Sequence, residues 1–327
     1  MKTKILPIFT ILMVISMKMT AQINLHTEDL PRFFKTYDAV VSINDSIKQT
    51  EIIQTEYLDK ASKGLKEFLQ ITGVKIEDLR KSIILNKENY TNKRQWILSV
   101  LNQEQLINKK IEKFKKLYPD FRDGDIYFCI GANRTGGTIN DKTVYIGAEV
   151  IANERLNWAL FTVMHEFTHT QQWTQRNMVR LMSDESLVKD YMSTHTQLLG
   201  RALEEGLADF VAELVIGESI AKSNPTGHTG FGLKNEQIVW TEFKKEMFLT
   251  FDQKMGWVSG KREINGKIVE DLGYFIGHQM CKSYYNKAKN KQQALIEMLA
   301  TNFTDENAKK FLIESGYLTE KERLEIK

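Results

Sequence analysis

The apolar residues change their spacing twice along this chain. From about Asp29 to Tyr118 they recur with a helical period. In "EYLDKASKGLKEFLQI" (56–71), Leu58, Ala61, Leu65, Phe68 and Leu69 fall on one stripe, which predicts a helix through the segment. Leu98, Leu101, Ile107, Ile111, Phe114 and Leu117 repeat the pattern over 95–118, and Pro119 stops it. The texture then shifts. "DIYFCIG" (125–131) and "TVYIGAEVI" (143–151) are short, aromatic and β-branched, and predict two strands, with "NRTGGTINDK" between them as loop or hairpin. Helical spacing returns over about 154–176, 184–193, 196–220, 235–250, 271–290, 292–301 and 305–314, while "SNPTGHTGFGLKN" (223–235) has the composition of a loop. The order is helices, a little sheet, then helices. It predicts an α+β fold that is predominantly helical, without internal repeats.

The first residues follow a different rule. Lys2 and Lys4 precede an apolar run from Ile5 to Met17 and a short polar tail, the pattern of a secretory signal peptide ending near Ala21. The run is too short to span a bilayer comfortably, so no stable membrane span is expected once the signal is removed. This divides the chain into an expected signal segment (1–21), an N-terminal helical region (22–119) and a C-terminal region (120–327), and leads to the expectation that the protein is exported. Residues 1–21 carry Lys2, Lys4 and Lys18 and no acid, so their removal takes the formal charge from +3 to zero. Such a balance gives no reason to expect nucleic acid or an anionic membrane as partner. The two cysteines, Cys129 and Cys281, sit among apolar residues, as two buried thiols or one disulfide.

The chemistry concentrates in "TVMHEFTHTQQW" (162–173). His165 and His169, four apart, lie about 40° from one another on a helix, one turn above the other. Both imidazoles can then reach one ion at the Zn–N distance of about 2.0 Å. Glu166 is turned about 100° away. It flanks such an ion and can take a proton from water polarised by it. Leu160, Phe161, Val163, Met164 and Phe167 would bury much of this helix, and its polar side chains then need partners.

A catalytic zinc normally has three protein ligands. "RALEEGLADFVAELV" (201–215) offers the third. Glu204 and Glu205 lie within an apolar stripe, where an acid is costly unless something positive meets it. Glu205 and Asp209 share a face, which favours Glu205 over Glu204 as ligand and leaves Asp209 to accept the outer N–H of a ligating histidine. Gly206, mid-helix, costs roughly 1 kcal/mol against alanine. Close approach of the two site helices would account for it.

His165-Glu166-x-x-His169 followed by Glu205-x-x-x-Asp209 resembles the gluzincin pattern of zinc metallopeptidases. "GGTINDKTVYIGAEVI", "EEGLADF" and "DLGYFIGHQM" are similar to segments of secreted zinc-dependent proteases of unknown function. The resemblance covers roughly 120–320. The separation of 36 positions between His169 and Glu205 is longer than in the best-known members. It implies a zincin-like region with a small sheet beside the H-E-x-x-H helix and a helical C-terminal part. Zn2+ would be held by His165, His169 and Glu205, with Glu166 as general base. It also implies an edge strand, here "TVYIGAEVI", along which a peptide or protein substrate lies. Tyr274 and His278, again four apart, are candidates to stabilise the oxyanion. His228, in the glycine-rich loop, either gates the cleft or plays no part. The alternatives are a cell-envelope binding or assembly protein that keeps the zincin fold and cleaves little, and a metal-free helical scaffold.

Overall fold

Short apolar periods broken by capping residues give this chain many modest helices instead of a few long ones. The computed structural model describes residues 23–251 and 256–326; the expected signal segment lies outside them. The N-terminal helices are α1 (Asp29–Val41), α2 (Ser46–Ile52), α3 (Lys63–Thr72), α4 (Ile76–Leu85), α5 (Lys87–Leu98) and α6 (Glu104–Leu117). α2 runs on into a π-helical turn, Ile53–Leu58. The apolar stripe through 56–71 is therefore split between two elements. Ser62 divides them: its hydroxyl caps α3 by accepting from the Leu65 N–H, and Gly73 ends α3 at φ 66°. A 3-10 turn, Ser99–Asn102, likewise separates α5 from α6 and leaves Leu101 exposed.

The strands are β1 (Leu25–His26), β2 (Ile126–Cys129), β3 (Gly137–Asn140) and β4 (Thr143–Gly147), in the order β1-β2-β4-β3. β1, β2 and β4 run parallel, and β3 returns antiparallel to β4 with Gly137 opposite Ile146 and Asn140 opposite Thr143. This corrects the expected edge. "TVYIG" is an interior strand with β2 on one side and β3 on the other, so no backbone groups are left for a substrate. The edge is β3, from the stretch read as loop or hairpin. Val144, Tyr145 and Ile146 are buried in succession, as befits a strand covered on both faces, whereas β3 is half-exposed. The strand expected to reach 151 ends at Gly147, and α7 (Ala148–Ile151) follows. Through β1 and α3 the region before residue 120 shares this sheet and a continuous buried core with the rest of the described chain.

The remaining elements are α8 (Trp158–Gln171), α9 (Trp173–Met182), α10 (Glu185–Thr194), α11 (Leu198–Ile216), α12 (Ile220–Ser223) and α13 (His228–Glu246). A hairpin of β5 (Lys261–Ile264) and β6 (Lys267–Glu270) follows, then α14 (Leu272–Lys287), α15 (Lys291–Ala300), α16 (Asp305–Glu314) and α17 (Glu320–Ile326). The helix expected over 154–176 breaks at Gln172, whose ψ of 155° is extended. The loop expected over 223–235 ends early, since α13 begins at His228. α8 packs against β3 and β4 and against α11, and α11 packs in turn on α14. Gly206 of α11 and Gly277 of α14 meet there. A Cβ on Gly206 would overlap the Gly277 backbone, and one on Gly277 would overlap the Ala202 carbonyl. Gly206 thus serves the α11–α14 contact, not the approach of α11 to α8 expected from sequence. No helix among the described residues is long and apolar enough to cross a membrane. Cys129 and Cys281 are buried free thiols, and burial raises the pKa of both.

Candidate metal centre

α8 is anchored by Trp158, Leu160, Val163, Met164 and Phe167, all buried. That packing turns His165, Glu166 and His169 toward a cleft of about 380 Å³ between β3 and α11. α11 presents Glu205 to the same place. The Nε2 atoms of His165 and His169 are 3.0 Å apart, and they lie 3.5 and 3.2 Å from Glu205 Oε2. An ion about 2.0–2.1 Å from each of three tetrahedral ligands requires ligand atoms about 3.3 Å apart. The three atoms meet that requirement, and no other such cluster of ligand side chains occurs among the described residues. Glu204 lines the same cleft but stands outside this group, bonded to Thr174 Oγ1 at 2.8 Å and to Arg201 at 3.2 Å.

The outer nitrogens of both histidines are fixed. Asp209 is buried. Burial would raise its pKa, but His228 and His165 outweigh burial and hold it low, so its carboxylate only accepts. His165 Nδ1 therefore donates to Asp209 Oδ1 at 2.7 Å. Gln172 donates its Nε2 to the Glu204 carbonyl at 2.7 Å, which leaves its Oε1 to accept from His169 Nδ1 at 2.7 Å. With both Nδ1 atoms donating, both Nε2 atoms point their remaining valence at Glu205 Oε2. Only a proton or a cation can sit among them. Burial disfavours charge on His165, but its bonds to Asp209 and Glu205 outweigh burial and raise its pKa well above the ordinary value. Glu205, against the same burial, is held well below the usual carboxylate range by His169 and His165. A metal ion would take the place of these protons, and the group can hold one.

Glu166 lies in the cleft beside β3. A Cβ on Gly137 would come within 2.7 Å of Glu166 Cγ and Cδ, so glycine at the head of the edge strand makes room for that carboxylate. Burial raises the Glu166 pKa, and the two histidines only partly offset it. Tyr274 of α14 also lines the cleft, its ring stacked on His165 with centroids 5.9 Å apart. His278 does not join it. One turn further along α14, it is buried with its Nε2 3.5 Å from Glu213, two turns past Glu205 on α11. Of the two residues named for the oxyanion, only Tyr274 lines the cleft.

The sequence reading missed Gln172, which follows His169 by three positions and shares its end of the helix, a spacing that identifies it. It named His228 only as a gate or a bystander, whereas the His228 Nε2 lies 2.7 Å from Asp209 Oδ2 and so joins the centre through Asp209. Comparisons with protein-family models, with curated proteins and with solved structures find no match to this chain.

Proposed function

We propose that the chain is an exported zinc-dependent peptidase of the gluzincin type. The observation that carries the reading is the convergence of His165 Nε2, His169 Nε2 and Glu205 Oε2 in an open cleft, with Glu166 between them and an edge strand. Two imidazoles and one carboxylate form a donor set suited to zinc, whereas calcium and magnesium prefer oxygen alone. Three protein ligands leave a position open to substrate or water. Bound there, zinc supplies Lewis-acid polarisation of a carbonyl and acidifies water.

The chain's own residues account for the remaining needs. Among the described residues the outer edge of β3 has no strand partner in the sheet, so an extended peptide adds to it and is carried across the cleft. Glu166 accepts a proton from the attacking water and delivers it to the leaving amine as the C–N bond breaks. Tyr274 donates its O–H to the oxyanion. Burial, with Glu205 nearby, pushes that hydroxyl far above its usual pKa, so it stays protonated. Export rests on the signal pattern of residues 1–21.

The test is Glu166→Gln. Zinc should remain bound at one equivalent while peptide hydrolysis falls by at least about 100-fold, the lower range for loss of a general base. A variant that hydrolyses peptides at the parental rate would remove Glu166 as base. Zinc-loaded parent that cleaves no peptide in a complex library would favour the envelope-binding alternative.

A further inference from the structure

We propose that His228 is a positioning residue for the cation site: it clamps Asp209 from the side opposite His165 and so fixes how His165 faces the ion. This rests on the metal-centre reading but not on hydrolysis.

Asp209 sits on α11 with 1% side-chain exposure, and a buried carboxylate needs partners for both oxygens. It has one on each. Oδ1 accepts from His165 Nδ1 and Oδ2 from His228 Nε2, both at 2.7 Å. The three residues come from α8, α11 and α13, so one carboxylate ties together three helices at the cleft. Without His228, Oδ2 would be left buried with no donor among the described residues, and the carboxylate would be free to rotate about its own axis. Oδ1 would then no longer hold the His165 ring in one plane. Tyr274 reinforces the arrangement, its ring lying 5.5 Å from His228 and 5.9 Å from His165.

The position of His228 makes the test clean. It begins α13, just past a turn in which Asn224 Oδ1 accepts from the Gly227 N–H at 3.0 Å. Its side chain is 20% exposed and lines a separate polar cavity with Asn224, Lys261, Glu270 and Asp271. A replacement there has that cavity on one side.

His228→Leu and His228→Asn both lose the bond, the second because its amide is too short. Each should bind zinc about 10–100-fold more weakly by chelator competition, the range for removing an outer partner of a ligating histidine. Each should also shift the visible absorption of the cobalt-substituted protein. His228→Gln, whose Nε2 can take the place of the imidazole Nε2, should restore affinity and spectrum to near parental values. Combined with Asp209→Ala, His228→Leu should cost nothing beyond Asp209→Ala alone, because it acts through that carboxylate. Parental zinc affinity and cobalt spectrum in folded His228→Leu and His228→Asn would overturn the proposal, as would additive losses in the double variant. Parent protein that takes up neither zinc nor cobalt would overturn it together with the metal centre. A loaded parent that hydrolyses nothing would sink the peptidase reading and leave this one standing.

Discussion

On the peptidase reading, Gly137→Ala separates the position of the proposed base, Glu166, from the binding of the metal. Glycine is at 137 because Glu166 occupies the space a Cβ would fill. The added carbon would come within 2.7 Å of Glu166 Cγ and Cδ, where unstrained carbon contacts begin near about 3.5 Å. Glu166 must therefore retreat by roughly 1 Å. It is a side chain at the wall of an open cleft, so it can move at little cost, and Gly137 has no positive φ to forbid alanine. Stability should change by no more than about 1 kcal/mol in either direction. Catalysis is less forgiving: a displacement of about 1 Å in a reacting group costs on the order of 100-fold, or about 2.7 kcal/mol of barrier. The expected phenotype is a protein with parental melting temperature and one equivalent of zinc, whose kcat/KM for a fluorogenic peptide falls about 100-fold. Three measurements on one preparation decide it: thermal melting, zinc content and hydrolysis rate. Full activity would refute the idea that β3 sets the position of the base. Loss of zinc would show that the alanine disturbs His165 or His169 instead.

Other outcomes follow from the same geometry. Gly277→Ala should destabilise by about 3 kcal/mol or more, because its Cβ meets the Ala202 carbonyl, a backbone group that cannot rotate aside; a melting temperature within a few degrees of the parent would contradict the close crossing of α11 and α14. Zinc affinity measured across pH should go on rising above about pH 7.5, where an ordinary histidine has lost about nine-tenths of its proton, since Asp209 and Glu205 keep the His165 proton in place longer; a plateau from about pH 7.5 would argue against that coupling. Burial alone would raise the Glu213 carboxyl, but its ion pair with His278 and its bond to the Ile220 N–H hold it down at about 2. Its folded-state pKa lies below the unfolded value, so its stabilisation is present above about pH 4.3 and is lost as pH falls toward 2. Glu213→Gln should therefore flatten the loss of stability in that window, as read by urea unfolding at several pH values.

How much of this was legible in the sequence depends on how far apart the partners are. Within one helix, spacing is nearly sufficient. The i, i+4 relation of His165 to His169, and of Glu205 to Asp209, survives in three dimensions because a helix has only one geometry. Periodicity also placed most helices, but not their ends. Ser62, the Ser99–Asn102 turn and Gln172 each interrupt an apolar stripe that carries on past them. A stripe reports which face is buried and not whether the backbone stays helical between its members. The β5–β6 hairpin was missed although Asn265 and Gly266 form its turn with φ of 54° and 72°, a sequence signal that was present and went unread.

Between elements, the sequence states needs without naming partners. An acid in an apolar stripe requires a positive neighbour, and that requirement pointed to Glu204 and Glu205, while the face shared with Asp209 chose Glu205 and brought in Asp209. It could not say that Asp209 would meet two histidines, because His228 stands in a segment whose glycines, serine, asparagine and proline look like a loop. Gly206 shows the same limit from the other side. A mid-helix glycine announces that something comes close, but α8 and α14 both cross α11, and only the fold decides that α14 fills the space. β3 was hidden for a related reason. Its burial is partial and its composition polar, which is what an edge strand needs if it is to keep one side free. The features that make "GTIN" hard to recognise as a strand are those that allow a second chain to pair with it. A site built on an edge strand and on contacts between three helices is therefore read from sequence only where one helix carries two of its parts.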